Sequence, residues 1–363
     1  MQRLNSIESV PESLWSSDYP FLSKAFLRAL EQQGDIGAQT GWQSHYLYSK
    51  DHWLLPAFIK EHSYGEYVFD WSWAEAYYQH GLNYFPKLIL AAPFTPAQGP
   101  RAIGESSPDA HDLSLILRSE IDQYDLSGAH ILFCDASLAK ALMDDQWHIR
   151  HQIQFHWKNE NYRDFDDFLD RFKSRKRKNL LKERRSLVDQ GFVYSRISGQ
   201  DISEALWERF YQCYQSTYAK RGMTGYLSLS TFKQLGKTLG QQMMMAVAEK
   251  EGDVKACALF FHDSDTLYGR YWGANEYADA LHFELCYYQG IEYCIEHNLT
   301  HFDPGTQGEH KISRGFEPTL RYSAHFLQRP DFHQAVQRFV KQEALYLEDY
   351  AQQCKRQLPF KES

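Results

Sequence analysis

Residues 281–318 carry the densest set of side chains that could do chemistry in this chain of 363 residues. The part from 281 to 298 has apolar residues at helical spacing, and an extended run then ends at Pro304-Gly305. Charged and amide side chains close or follow that run: Asp303, Gln307, Glu309, His310, Lys311 and Arg314. Open α/β sheets usually hold ligands where a strand ends in such a loop, so the pattern predicts a ligand site. The alternative is an ordinary charged surface loop.

The polar residues of this segment divide by type into proton acceptors and binding groups. Carboxylates and neutral imidazoles accept protons, which makes three residues candidate catalytic bases: Asp303, Glu309 and His310. The cations and their neighbours are candidates for binding the anionic groups of a substrate or donor: Gln307, Gly308, Lys311 and Arg314. Asp303 has a second explanation, because an Asp at a strand end often caps the following turn.

His282 and Glu284 stand at the start of the predicted helix. The free N–H groups of a helix N-terminus suit a phosphate or a carboxylate, so His282 is a candidate donor-binding residue. Glu284 is a fourth candidate base if its side chain faces a cleft. Otherwise its negative charge simply complements the helix dipole.

The segment 267–274, LYGRYWGA, predicts a strand with Arg270 among aromatic residues. Alternation along a strand places Tyr268, Arg270 and Trp272 on one face. An Arg among rings is either a structural cation stacked on them or an anion clamp in a groove. We include Arg270 among the candidate binding residues.

A strongly basic stretch occupies residues 174–185, SRKRKNLLKERR. Its seven cations face one acid, Glu183, and four of them are candidate donor-binding residues: Arg175, Lys176, Arg177 and Lys178. Such a charge suits a phosphate-rich partner, namely a tRNA acceptor arm, a CoA-type donor or a nucleotide-linked acceptor. The alternative is a solvated helix face balanced by nearby acids: Asp164, Asp166, Asp167 and Asp170.

The composition indicates a folded protein in a reducing compartment. Apolar residues make up 43% of the chain and aromatic residues 15%, which excludes a disordered chain, while the net charge of -8 does not favour general nucleic-acid binding. The six cysteines show no CxxC pair, and His301 and His310 lack the spacing of metal ligands, so we predict no metal site. The N-terminus lacks a signal-peptide pattern and no segment reaches the length of a membrane span, so we expect a cytoplasmic protein.

Hydrophobic patterning predicts an α/β protein of two domains, with a polar boundary near residues 159–161. The first, 1–158, opens with a helix at 20–33 and strands at 42–48, 53–60 and 67–73. The second, 159–363, opens with a long helix at 162–190 and ends with one at 332–358. The two halves have similar patterns of strands, and each has a loop with Pro and Gln-Gly, which suggests a duplicated α/β unit. The first-half loop keeps only Gln98, Gly99 and Arg101 of the possible site, so that half would shape a cleft or bind one substrate, with Asp70 and residues 71–73 as lining.

Three motifs carry a resemblance to a known family: LYGRYWGA (267–274), LHFELCYYQGIEY (281–293) and GEHKISRGF (308–316). They resemble the FemAB-like predicted N-acyltransferases, a branch of the GNAT-type acyltransferases. In that branch a helix leads to a strand ending in Asp and Gly, then to a Lys before Gly-Phe. The matching positions here are Asp303, Gly305, Lys311 and Gly315-Phe316. The segment 156–185 also resembles the family, and the likeness spans nearly the whole chain.

The resemblance implies two tandem GNAT-like domains, each a mixed sheet flanked by helices, with the active site in the second. It implies an N-acyltransferase that moves an acyl or aminoacyl group onto the amine of a small molecule or peptide. The donor would be an acyl-CoA or an aminoacyl-tRNA, and the well-understood relatives act on peptidoglycan precursors. This sequence has no long heptad-patterned helical hairpin such as some of those ligases insert, which leaves the tRNA donor open.

Two functions from different classes remain at this stage. The first is the transferase, with Arg270, Lys311 and Arg314 for anionic groups and Glu284, Asp303, Glu309 or His310 for proton transfer. On this view Lys311→Ala and Arg314→Ala abolish ligand binding without unfolding the domain. The second is a non-catalytic RNA- or nucleotide-binding module on a transferase-derived fold, which would retain binding through residues 174–185 without turnover.

Overall fold

The structure is a computed structural model that describes residues 1–15, 18–50, 52–306 and 308–361. Its strands are β1 (Gln2–Leu4), β2 (Trp42–Ser44), β3 (Tyr46–Ser49), β4 (Trp53–Leu55), β5 (Ala57–Lys60), β6 (Lys87–Leu90), β7 (Gly128–Cys134), β8 (His148–Lys158), β9 (Val193–Ser198), β10 (Met243–Lys250), β11 (Asp253–His262), β12 (Thr266–Ala274), β13 (His301–Asp303) and β14 (Glu317–Leu327). Its α-helices are α1 (Lys24–Gln32), α2 (Trp71–Gln79), α3 (Ala110–Tyr124), α4 (Ala136–Asp144), α5 (Phe165–Asp170), α6 (Ser174–Asp189), α7 (Glu204–Ala219), α8 (Leu229–Thr238), α9 (Leu281–Phe283), α10 (Gln289–Glu296) and α11 (Pro330–Arg356).

Contacts within the chain define two compact units. Unit 1 comprises Met1–Ile153 and Leu320–Ala351, and unit 2 comprises Gln154–Thr319 and Gln352–Ser363. This division differs from the boundary that we predict at 158/159, because the C-terminal segment returns to the first unit. Strand β14 pairs with β7, and α11 buries apolar residues against the inner face of α2.

The main sheet of unit 1 has the order β2-β5-β6-β7-β14. Neighbours are antiparallel except β6 and β7, which are parallel and are connected through α3. Helix α3 covers the sheet with Leu113, Leu117 and Ile121, which pack into a core with apolar residues of β6 and β7. A smaller antiparallel sheet, β1-β3-β4, completes the unit.

The sheet of unit 2 has the order β8-β13-β12-β11-β10-β9. Again one pair of neighbours is parallel, β12 and β13, and the helical segment 281–296 connects them. The other neighbours are antiparallel. Parallel neighbours need such a crossover connection, so this helical segment and the ends of β12 and β13 are held together by topology.

The two sheets therefore share one arrangement. In each, a run of antiparallel strands, three in unit 1 and four in unit 2, leads to a parallel strand reached through a helix, and a further antiparallel strand follows. This correspondence supports the predicted duplication, and the predicted α/β class with mixed sheets flanked by helices is confirmed. It also corrects the equivalence that we draw between the two loops. Residues 93–104 follow β6, the counterpart of β12, whereas the loop after Asp303 follows β13.

Two predicted elements differ from the structure, and one observed strand was not predicted. Residues 67–73, which read as an aromatic strand, are irregular up to Asp70 and then enter α2. The single helix predicted at 162–190 is broken between α5 and α6, where the Lys173 N–H donates to the carbonyl of Pro359. Strand β9 has no sequence prediction because its side chains alternate between exposed and half-buried, without an apolar face. In the described part of the chain, no helix has the length and apolar character needed to cross a bilayer.

Candidate active site

The helical segment 281–296 is held against the strands by close packing. A side chain at Gly290 would meet the ring of Phe302 at 2.5 Å, so the glycine lets the helix approach β13. Leu285, Ile291 and Cys294 are buried beneath the helix. Between α9 and α10 the backbone forms a π-helical turn over Glu284–Tyr288. Such turns widen a helix by one residue and are frequent at functional sites.

Glu284 lies at the start of the π turn and is fully buried. Its carboxylate accepts two hydrogen bonds from Arg184, at 2.9 Å from Nε and 2.8 Å from Nη2, and a third from Gln289. Arg184 also donates to Glu292 at 2.6 Å. Burial lowers the pKa of Arg184, but the two carboxylates outweigh it and raise that pKa. The structure therefore places this predicted base inside an ion pair and away from solvent, where it orders the helix.

Asp303 and Arg270 meet where β13 ends beside β12. Arg270 Nη2 lies 3.0 Å from Asp303 Oδ2, and both side chains are almost completely buried. Arg270 lies at a β-bulge, where the register with β11 shifts from Tyr271 to Gly269. This bulge interrupts the alternation that we predict along β12. Asp303 also accepts the Gly305 N–H at 2.9 Å, so it caps the turn as well as pairing with Arg270.

The predicted polar loop is a 3-10 helix, Glu309–Arg314, that turns its two cations inward. Lys311 is buried, and its Nζ donates to the carbonyl of Gly305 at 2.6 Å. Burial lowers the pKa of Lys311 to about 8, against the opposing charge of Asp303. Lys311 thus ties the loop to the end of β13. Because Lys311 points inward, less of its side chain is available to an anionic ligand than we expect from the sequence.

Arg314 is buried and has partners on three sides. Its Nη2 lies 3.0 and 2.9 Å from the two carboxylate oxygens of Glu183, its Nη1 donates to the carbonyl of His310, and its guanidinium stacks 3.4 Å from the centre of the Phe283 ring. The Tyr288 hydroxyl donates to the same Glu183 at 2.7 Å. Replacing Arg314 would therefore disturb the loop itself, contrary to our expectation of a purely binding role.

His310 is an exposed member of the loop, and its imidazole can exchange protons. Its Nε2 lies 2.8 Å from the hydroxyl of Tyr287, and its ring contacts Tyr287 and Phe283. Partial desolvation by these rings, together with the charges of Lys311 and Arg314, lowers the pKa of His310 below its usual 6.5. Burial raises the pKa of Tyr287 and keeps its hydroxyl protonated. His310 is therefore neutral at pH 7, with its ring orientation set by Tyr287.

His282 lies next to His310 within a group of aromatic rings. Its ring centre is 5.0 Å from that of Trp272, 5.2 Å from Tyr287 and 5.9 Å from His310. Burial and the neighbouring cations lower the pKa of His282 to about 3, so it stays neutral.

Residues 309 and 310 are both exposed, and Gly308 precedes them with a φ of +112°. A side chain at Gly308 would overlap the His310 ring at 2.1 Å, so glycine is required for this ring position. Gln307, also a predicted binding residue, lies outside the described residues.

The predicted donor-binding cations do not form one group with this loop. Arg177 pairs with Asp170 near the start of α6. Arg175, Lys176 and Lys178 are exposed on the same helix. Within the basic stretch, the residues that reach the site are Glu183 and Arg184, through their pairs with Arg314 and Glu284. Sequence reasoning missed both roles and that of Tyr287. The one available signal was that Glu183 is the single acid among seven cations.

Unit 1 contains a different cluster of charges beneath the segment 61–70. Lys87 donates to Glu66 at 2.8 Å, to Asp70 at 2.5 Å and to Ser63 at 2.9 Å, and all four residues are buried. Lys60, opposite Lys87 on β5, lies 3.9 Å from the centre of the Trp42 ring. Burial lowers the pKa of Lys60 to about 7 and raises that of Glu66 to about 7. Lys87 keeps Asp70 ionised, with a pKa of about 2, despite its burial.

Most of the remaining first-half candidates with described contacts are buried within unit 1. Arg101 is buried, and it donates to the carbonyls of Ala97, Leu132 and Phe133. Asp70 points into the charge cluster, and Trp73 is buried among residues of α2 and α11. Trp71 is exposed and its ring lies 5.1 Å from that of Tyr64. Across the part of the chain that the structure covers, no three His, Cys, Asp or Glu side chains are placed to hold a metal ion.

Comparison with known proteins places this geometry in a family. The family model named FemAB-like, described as peptidoglycan biosynthesis/recognition, matches residues 6–362. A search of curated protein sequences finds no significant match. Solved structures share the fold at low sequence identity.

The C-terminal domain of a protein named as a lysylphosphatidylglycerol synthetase, from Agrobacterium fabrum, has a TM-score of 0.54 and 12% identity. That match covers 91% of this chain and 94% of that domain. L-PGS from Bacillus licheniformis has a TM-score of 0.51 and 13% identity, with coverage of 86% and 95%. FemX has a TM-score of 0.51 and 10% identity, with coverage of 93% and 100%. The family match covers both units, and the chain belongs to the FemAB-like family.

Proposed function

We propose that the protein transfers an acyl or aminoacyl group from a tRNA- or CoA-linked donor to the amine of a peptidoglycan- or lipid-related acceptor. The observation that carries this proposal is the family match, which extends over residues 6–362 and thus over both units. The similar folds include FemX and a protein named as a lysylphosphatidylglycerol synthetase, and both names agree with this proposal. At 10–13% identity these structures support the fold, and the reaction rests on the family.

The second unit offers a group suited to the proton transfer of this reaction. The neutral amine of the acceptor attacks the donor carbonyl carbon, and the new C–N bond forms as the bond to the donor oxygen or sulfur breaks. The amine must then lose a proton, and the leaving oxygen or sulfur must gain one. His310 can accept that proton because its ring is exposed, is neutral at pH 7 and is oriented by Tyr287.

The other predicted bases fit positioning roles better. Glu284 and Asp303 are buried and hold Arg184 and Arg270, so neither carboxylate faces solvent. A proton taken up by either one would weaken its ion pair inside the unit. Glu309 is the exception, because it is exposed beside His310 and stays a candidate base. On this assignment, Lys311 and Arg314 shape the loop and keep His310 neutral through their positive charges.

Transfer can be tested by incubating the whole protein with aminoacyl-tRNAs or acyl-CoAs and amine acceptors, and following donor and product by mass spectrometry. The acceptors would include a peptidoglycan precursor peptide and the amine-bearing lipid phosphatidylethanolamine. We expect consumption of one donor class together with a product heavier by the acyl or aminoacyl group. Binding of donor or RNA without product formation across the panel would contradict the transferase and favour the non-catalytic binding module.

A further inference from the structure

The outer face of helix α6 combines positive charge with exposed apolar side chains. Of the seven basic residues between 174 and 185, Arg177 and Arg184 form ion pairs within unit 2. The other five are exposed: Arg175, Lys176, Lys178, Lys182 and Arg185. None of these five forms an ion pair with a residue that the structure describes. In a chain of net charge -8, this face is a local concentration of unneutralised cations.

Apolar residues with exposed side chains lie in the same face. Lys178, Leu181, Arg185 and Val188 are spaced by three or four residues, so they follow one another along a single side of the helix. Leu181 is 40% exposed and Val188 is 60% exposed. The buried contacts of the helix are made instead by Leu180 and Leu187.

We propose that this face docks the protein on an anionic lipid bilayer. A bilayer surface interacts favourably with both features, since its anionic headgroups attract the cations and its interface takes up exposed apolar side chains. A nucleic acid would gain from the cations alone, because its phosphate backbone offers no partner for Leu181 and Val188. The assignment gives Arg175 and Lys178 a lipid partner in place of a donor phosphate, while Lys176 lies on another side of the helix. It goes beyond the proposed function and does not require transfer activity.

Co-sedimentation of the whole protein with vesicles tests the docking face without any turnover. We expect binding to phosphatidylcholine vesicles that contain phosphatidylglycerol, little binding to phosphatidylcholine alone, and release at high salt. Each cation near such a surface contributes about fivefold to binding. The triple variant K178Q/K182Q/R185Q should therefore bind about 100-fold more weakly. The matched control K140Q/R338Q/K341Q removes three exposed cations of unit 1 and should bind like the wild type.

The apolar residues separate a bilayer from RNA. The variant L181S/V188S should lose vesicle binding while its retention on heparin, a soluble polyanion, stays unchanged. The control L115S/M143S removes residues of similar exposure, 52% and 54%, and should leave vesicle binding intact. Thermal unfolding verifies that each variant is folded. Equal wild-type binding to neutral and anionic vesicles would overturn the proposal. So would undiminished vesicle binding by L181S/V188S, or a triple variant that loses binding to a tRNA transcript but not to vesicles.

Discussion

Units 1 and 2 share a strand arrangement but use their buried charges differently. In unit 1, Lys60, Lys87, Glu66 and Asp70 are all at most 3% exposed and face one another. In unit 2, the pairs of Arg270 with Asp303 and Arg184 with Glu284 accompany a loop that carries an exposed histidine. The charge cluster of unit 1 is closed to solvent, while the ion pairs of unit 2 support the loop of His310, a candidate for exchanging protons with a substrate. The same fold therefore carries a structural charge cluster in one unit and a candidate active site in the other.

Breaking the closed cluster of unit 1 should have the largest effect on stability. Lys87→Met leaves Asp70 and Glu66 buried without their cation, and such a loss costs about 3–5 kcal/mol of unfolding free energy. Urea denaturation followed by tryptophan fluorescence measures the change. The control Lys140→Met removes an exposed lysine of the same unit and should change stability by less than about 0.5 kcal/mol. If Lys87→Met were equally mild, the cluster would not be a structural element.

The ion pair beneath the active-site helix should matter somewhat less, because Arg184 is partly exposed. Arg184→Gln leaves the fully buried Glu284 without its charged partner, and we expect a loss of about 2–3 kcal/mol. Arg177→Gln, on the same helix, removes only a surface pair and should cost about 0–1 kcal/mol. Chemical denaturation of the two variants gives the comparison. Equal effects would mean that Glu284 finds other partners, and that the pair does not anchor the helix.

The pH dependence of stability should distinguish Lys60 from the paired lysine beside it. Burial lowers the pKa of Lys60 to about 7 in the folded protein, whereas its unfolded value is near 10.5. Between these values unfolding takes up a proton, so the contribution of Lys60 to stability rises with pH by about 1.4 kcal/mol per pH unit. Lys60→Met should remove that slope between pH 7 and 10. Parallel stability curves for the two proteins would show that Lys60 is charged in the fold.

Local pattern was sufficient to predict the main elements of the site. The helix, strand and loop of residues 281–316 followed from apolar spacing, from Pro304-Gly305 and from the family motifs. The observed α9, α10 and β13 lie inside the predicted ranges. The π turn was not predictable, because it depends on how Glu284 and Tyr288 are satisfied by residues of α6. The partners of Glu284 and Arg314 are 100 and 131 residues away in sequence, and no local pattern encodes such pairs.

The direction of charged side chains was the weakest part of the sequence prediction. From the sequence, Lys311 and Arg314 were predicted to bind anionic groups of a substrate or donor. The 3-10 turn brings both inward, where Gly305 and Glu183 satisfy them. The bulge at Arg270 likewise depends on pairing with β11 and not on β12 alone. Residue type was thus a better guide to where the site lies than to what each side chain does.

The transfer rate of His310→Ala tests the central claim most directly, with His301→Ala as its matched control. His301 is also an exposed histidine of unit 2, but it pairs with Asp265 and has no role in the proposed mechanism. Loss of a positioned base should lower kcat/KM about 10²–10⁴-fold in His310→Ala, while His301→Ala transfers like the wild type. The acid limb of the wild-type profile should also lie below pH 6.5, because the pKa of His310 is lowered. A folded His310→Ala protein with wild-type kcat/KM would contradict the account.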